Sequence, residues 1–230
     1  MSSAPWLAYA PVVAELLPPA AALARLARDR ARLGIVGWCL TLFTADVIAM
    51  IQARAYHTNN LWTDYISTAL SGAVMLWTLS RWQMKSVPRL ALLVLIPLYL
   101  VAHLALVLTI ENTENFSLVS DTLNGLLLLS LVLYTLIARS LHERERLTDF
   151  DWFWVCSGLA LYFGAAMAVG PLYRVLLARR VDLLMDVILM KSVTDTVAMM
   201  AIARGLLCPI PSPRSSGFSS PPSLRSLSSS

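Results

Sequence analysis

The sequence predicts an all-α fold, a polytopic membrane bundle of seven helices, and three observations carry that expectation. Hydrophobic residues make up 57% and charged residues 14% of the 230-residue chain, where soluble domains carry about a quarter charged residues. Seven apolar stretches reach the length of a bilayer crossing, at 6–24, 33–53, 61–80, 88–110, 118–138, 152–173 and 182–206. Basic residues between them alternate from many to few. A mean hydropathy of +0.66 agrees with one helical membrane domain over 1–208.

The stretch 6–24 carries Glu15 and the pair Pro18-Pro19, which predicts a kink. Three readings of it stay open. It crosses, or it lies in the interface and leaves six spans, or it is a signal sequence. No Lys or Arg precedes Trp6 to form the charged start of a signal, although Ala20, Ala21 and Ala22 suit a cleavage site. The next five stretches are bounded by polar or basic connections, and the first four of them carry isolated polar residues: Asp46, Asp64, His103, then Asp121 with Asn124. The last stretch holds Lys191 near its middle.

Orientation follows from the basic residues. Arg25, Arg28, Arg30 and Arg32 lie in the first connection, Arg81, Lys85 and Arg89 in the third, and Arg139, Arg144 and Arg146 in the fifth. With Arg204, Arg214 and Arg225 at the C-terminal end, one side holds thirteen. The other side holds four, Arg54, Arg174, Arg179 and Arg180, three of them in the sixth connection. The positive-inside rule places the N-terminus outside and the C-terminus in the cytoplasm. The run 209–230 is rich in Ser and Pro and too poor in apolar residues to fold, so it is expected to be a disordered cytoplasmic tail. No connection is long enough for a soluble output module.

A net charge of +4 raises the question of nucleic acid, but the arginines sit in short clusters without interleaved aromatics, so nucleic acid is not an expected partner. The lipid bilayer is, together with a cytoplasmic or membrane protein that the loops contact. Cys39, Cys156 and Cys208 form no CxxC spacing, so neither a disulfide framework nor a metal site is expected. No GxSxG, HExxH or Gly-rich phosphate loop occurs, and no catalytic residue is assigned.

Lys191 carries the functional expectation. A charge at mid-membrane depth costs about 3 kcal/mol or more, so it needs a partner or a watery cavity. Helical geometry puts Asp195 one turn on and about 40° around from Lys191, while Asp186 points elsewhere. Under the topology above, Asp64, Asp121, Asn124 and Asp186 enter from outside by a few residues. Asp46 and His103 also reach the outer half, and Glu15 and Lys191 lie near the midplane. These positions predict a polar cavity open to the outside, with Lys191, Asp195, Asp186, Asp64, Asp46, Asp121 and Asn124 as ligand-binding residues. The alternative is that the same groups only hydrogen-bond helix to helix. His103, in YLVAHLALVL, has the apolar setting of a haem or chlorophyll ligand, or is a hydrogen-bonded helix contact. The cofactor stays undetermined.

Leu61-Trp62-Thr63-Asp64-Tyr65-Ile66 echoes Leu183-Leu184-Met185-Asp186-Val187-Ile188, and Trp38-Cys39 echoes Trp154 with Cys156. That pattern would suit two parallel three-helix repeats around a linking fourth helix.

Two resemblances follow from these residues. Asn59-Asn60-Leu61-Trp62, Trp154 with Ser157-Gly158-Leu159, and Tyr162-Phe163-Gly164 resemble uncharacterised seven-helix membrane proteins of bacteria. That likeness implies a fold and a bacterial inner-membrane address, and no activity. A lysine in the last of seven spans, with Trp62-Thr63-Asp64-Tyr65 in the third, resembles microbial rhodopsins and heliorhodopsins. It implies retinal on Lys191. The chain departs from that pattern at Val187, where microbial rhodopsins usually carry Asp, and lacks the Arg-Tyr before the third-span carboxylate.

The expected function is a receptor-like or accessory membrane protein with an outer-half ligand cavity. The alternatives are a small-solute transporter with three-helix repeats, which resembles the sugar-transporting 3+1+3 fold in outline but lacks its Pro-Gln pair, and a structural or pigment-associated subunit of a membrane complex.

Overall fold

The computed structural model describes residues 10–24, 29–56, 61–111, 118–143, 146–179 and 181–208. The tail 209–230 and the Asn59-Asn60 pair lie outside them. The described residues form α1 (Ala10–Ala14), α2 (Leu17–Ala24), α3 (Arg30–Ile51), α4 (Leu61–Trp82), α5 (Ser86–Thr109), α6 (Leu118–Ser140), α7 (Asp151–Arg179) and α8 (Val181–Leu207). A π-helical turn, Gln52–Tyr56, continues α3, and no strand occurs among the described residues. Each apolar stretch of the sequence coincides with a helix, the first of them in two pieces. The helical runs Arg30–Tyr56, Ser86–Thr109, Val119–Ser140 and Asp151–Gly170 are long and apolar enough to cross a membrane. Helix α4 is richer in Ser and Thr and α8 holds five charged residues, and Asp64 of α4 with Lys191 and Asp195 of α8 help build the site.

The break in the first stretch falls at Glu15 and Leu16, just before the prolines rather than at them. Pro18 and Pro19 have no N–H, so the carbonyls of Ala14 and Glu15 lose their partners one turn on. In the first turn of a new helix that loss is harmless, because those N–H groups would lack an intrahelical acceptor anyway. The chain therefore ends α1, turns through Glu15 and restarts as α2. Glu15 is left buried at 6% exposure.

The helices alternate in direction and close a ring. Neighbours in contact are α2 with α3, α3 with α4, α4 with α6, α6 with α7, α7 with α8, and α8 with both α1 and α2. Helix α5 stands outside this ring against α4, with a lighter contact to α6. Its outer face shows why: Leu90, Val94, Leu98, Val101, Leu104 and Leu108 are all more than half exposed. Glycines set the closest approaches within the ring. A Cβ on Gly34 would strike Thr78 of α4, and one on Gly158 would strike the Ala198 carbonyl and Ile202 of α8. The two contacts share one register, 124 positions apart (34 to 158, 78 to 202). The sequence echo aligned the same helices two positions out of this register, at 61 with 183.

One end of the ring is packed solid. Ile35, Met75, Leu79, Leu128, Leu159, Met199 and Ile202 are each at most 1% exposed. Arginines close that end. Arg32, 2% exposed, bonds Asp151 Oδ2 through Nε (3.1 Å) and Nη2 (2.9 Å). It also donates to the carbonyls of Leu206 (3.2 Å) and Cys208 (3.0 Å). Those carbonyls end α8 and have no intrahelical donor, so a cation suits them on both counts. Arg139 likewise donates to the Trp82 carbonyl at the end of α4 (3.0 Å) and lies over the Trp152 ring.

Candidate functional site

The opposite half of the ring holds a cavity of about 560 Å³. Every ring helix contributes to it except α2, which α1 and Glu15 replace, while α5 contributes nothing. Its lining residues lie toward the end where α4, α6 and α8 begin, and the packed core starts beneath them.

Asp64 and Asp121 stand exposed at the rim, and Asp46 is half-buried on the wall. Two hydrogen-bond sets fix the α4 and α6 sides. Thr68 Oγ1 donates to Asp121 Oδ1 (2.7 Å). The Tyr99 hydroxyl, reaching in from α5, is shared between the Thr68 carbonyl (2.9 Å) and Asn124 Oδ1 (3.1 Å). Upstream, Glu111 accepts from the Val119 and Ser120 amides and from the Ser120 hydroxyl, which caps α6 and anchors this wall.

Deeper in, Lys191 Nζ meets Asp195 Oδ2 at 2.5 Å, the i, i+4 pair that helical spacing predicts. The lysine side chain is 34% exposed and the aspartate 7%. Nζ also sits 5.6 Å from the centroid of the Tyr162 ring. Tyr162 meets Trp38 across the ring in an edge contact at 5.2 Å, and Phe163 tilts against the same indole at 5.9 Å. These three rings floor the cavity. Glu15 lies within electrostatic reach of Asp46, Asp195 and Lys191. Two oxygens here, Glu15 Oε2 and Asp195 Oδ1, are buried and without a hydrogen-bond partner among the described residues.

The structure thus brings together Lys191, Asp195, Asp64, Asp46, Asp121 and Asn124 of the expected set. It leaves out two residues. Asp186 is exposed and absent from the lining, because five residues of helix turn it about 140° away from Lys191. His103 is buried between α5 and α4, outside the cavity, with Nε2 3.0 Å from the Tyr65 carbonyl. A carbonyl only accepts, so Nε2 carries the proton and donates it to Tyr65. That bond joins α5 to α4. Sequence reasoning noted Glu15 for depth alone and missed Trp38, Tyr162 and Phe163. Aromatic residues in an apolar run give no sign of which ones meet across a ring. Among the described residues, no group of three or more His, Cys, Asp or Glu is set to hold a metal ion.

Removing the ammonium alone leaves Asp195 buried without a counter-charge. Lys191→Met is expected to destabilise the fold by about 2 kcal/mol, a figure reduced from that of a fully buried pair because the lysine is partly exposed. Lys191→Met with Asp195→Asn should recover most of that loss. Unfolding of the four proteins of this cycle by SDS titration in mixed micelles measures both.

No family model, curated protein or solved structure matches this chain.

Proposed function

We propose that the chain is a seven-span protein of the bacterial inner membrane, N-terminus outside, that binds a small ligand in the outer half of its bundle. It acts as a receptor-like or accessory protein whose cytoplasmic loops engage a separate protein partner. The exposed apolar stripe of α5 supports insertion, since a surface of that extent is unfavourable in water and suits lipid. In this reading the cavity faces outward and the arginine-closed end faces the cytoplasm. The observation that carries the ligand is the cavity itself: a half-buried ammonium and five carboxyls line one open space. Polar groups at such depth mark functional sites.

Purification in mild detergent, followed by mass analysis and an absorption spectrum, tests the reading. A small molecule should accompany the protein and be lost from Asp195→Asn. A visible absorption band would instead favour the pigment-associated subunit. A protein that never carries or binds any small molecule would leave the polar groups as structural contacts.

One feature favours transport as a second reading. The α3–α4 and α7–α8 pairs share a glycine register, and α5 stands outside the ring as a linker would. Two parallel three-helix units around a midplane site are an arrangement that transporters use. Solute uptake into proteoliposomes that stops in Asp195→Asn would decide for it, and binding without uptake would decide for reception.

A further inference from the structure

We propose that the ligand is a small organic cation bearing N–H groups, a protonated amine, and that Lys191 is a tethered occupant which this ligand displaces. The proposal deepens the cavity reading above and rests on it. Charge is the first ground. Among the described residues, Glu15, Asp46, Asp64, Asp121 and Asp195 line the cavity against one cation, Lys191. An anion would have to pass Asp64 and Asp121 at the rim and then compete with Asp195 for an ammonium already bound. A cation meets Asp64 and Asp121 at the rim and Asp46 on the wall, and then competes with the tethered Lys191 for Asp195.

The second ground is unmet hydrogen bonding. Glu15 and Asp195 are 6% and 5% exposed, and each turns one partnerless oxygen, Oε2 and Oδ1, among the described residues. A buried acceptor left unpaired is costly, so a molecule that brings donors there recovers that cost. An ammonium carries three donors and no acceptor, which matches the deficit.

The third ground is the floor. Lys191 Nζ already lies between the Asp195 carboxylate and the Tyr162 ring, so the site displays how a cation sits in it. Trp38 and Phe163 extend that aromatic surface for an apolar ligand body. At 34% exposure the lysine stem has room to swing aside.

Isothermal titration of the full-length protein in lipid nanodiscs tests this with benzylammonium, benzyltrimethylammonium and benzoate. Benzylammonium should bind, about ten-fold or more tighter than the quaternary probe, which has no N–H to give. Benzoate should give no heat. Glu15→Gln and Asp195→Asn should each weaken benzylammonium by about ten-fold, while Lys191→Met, freed of the competing ammonium, should bind it several-fold tighter. Glu15→Gln carries the test if Asp195→Asn fails to fold. Benzoate binding that disappears in Lys191→Met would overturn the cation assignment and leave the cavity reading standing. Benzylammonium binding indifferent to all three variants would place it elsewhere and also overturn the assignment. Silence from all three probes would overturn it too, with the cavity reading then resting on the copurification result.

Discussion

Arg32→Ala is expected to cost about 3–5 kcal/mol, because it strips the charge from Asp151 and the donors from the end of α8 in one step. Arg32 is 2% exposed and joins three helices: its own, the start of α7 and the last carbonyls of α8. Asp151→Asn should cost less, since Arg32 would keep its two carbonyl acceptors. Arg32→Lys should rescue only in part, because one ammonium cannot span a carboxylate and two carbonyls as the guanidinium fork does. SDS unfolding reads all three. A loss below about 1 kcal/mol in Arg32→Ala, the range of an exposed pair, would mean that this end of the bundle is open to water.

Gly158→Leu is expected to be the second most damaging change, at about 3 kcal/mol or more. A Cβ at this position would lie 2.7 Å from the Ala198 carbonyl oxygen and 2.7 Å from Ile202. Backbone cannot yield as a flexible side chain can, so α7 and α8 must separate along the line of contact. Their separation would also move Lys191 relative to Tyr162, so ligand binding should fall with stability. Gly164 supplies the control, since nothing lies within 4 Å of a Cβ there. Gly164→Ala should stabilise the helix by about 0.5–1 kcal/mol. Equal losses at the two glycines would show that helix propensity, and not close packing, governs both.

How much of this was legible in the sequence depended on whether a feature was local. The helical stretches were legible because unbroken apolar runs leave few alternatives, and the Lys191 to Asp195 pair because spacing along one helix fixes it. A kink near Pro18 was legible too, but its seat was not. The prolines tolerate the start of α2, so the break moved upstream and turned Glu15 inward. Arg32 counted in sequence as one basic residue of a connection. Its partners are 119 and 174 positions away, and no periodicity reports them. The aromatic floor was hidden for the same reason, since Trp38 and Tyr162 belong to different helices and meet only when the ring closes. Asp186 is a local case. Its depth alone put it among the expected ligands, whereas helical spacing already turned it away from Lys191, and it is absent from the lining.

The central claim is that Lys191 projects into a wet, acid-lined cavity reached from one side of the membrane only. Lys191→Cys, in a chain whose three native cysteines are replaced by serine, puts a thiol at that point. A membrane-impermeant cationic methanethiosulfonate is then applied to either face of sealed vesicles. Modification is expected from the face that carries the Asp64 rim and not from the face that carries Lys85, and in a separate reaction with the permeant aminoethyl reagent the adduct, which restores an ammonium beside Asp195, should restore stability. A thiol unreactive from both faces, or reactive from the Lys85 face, would contradict the account.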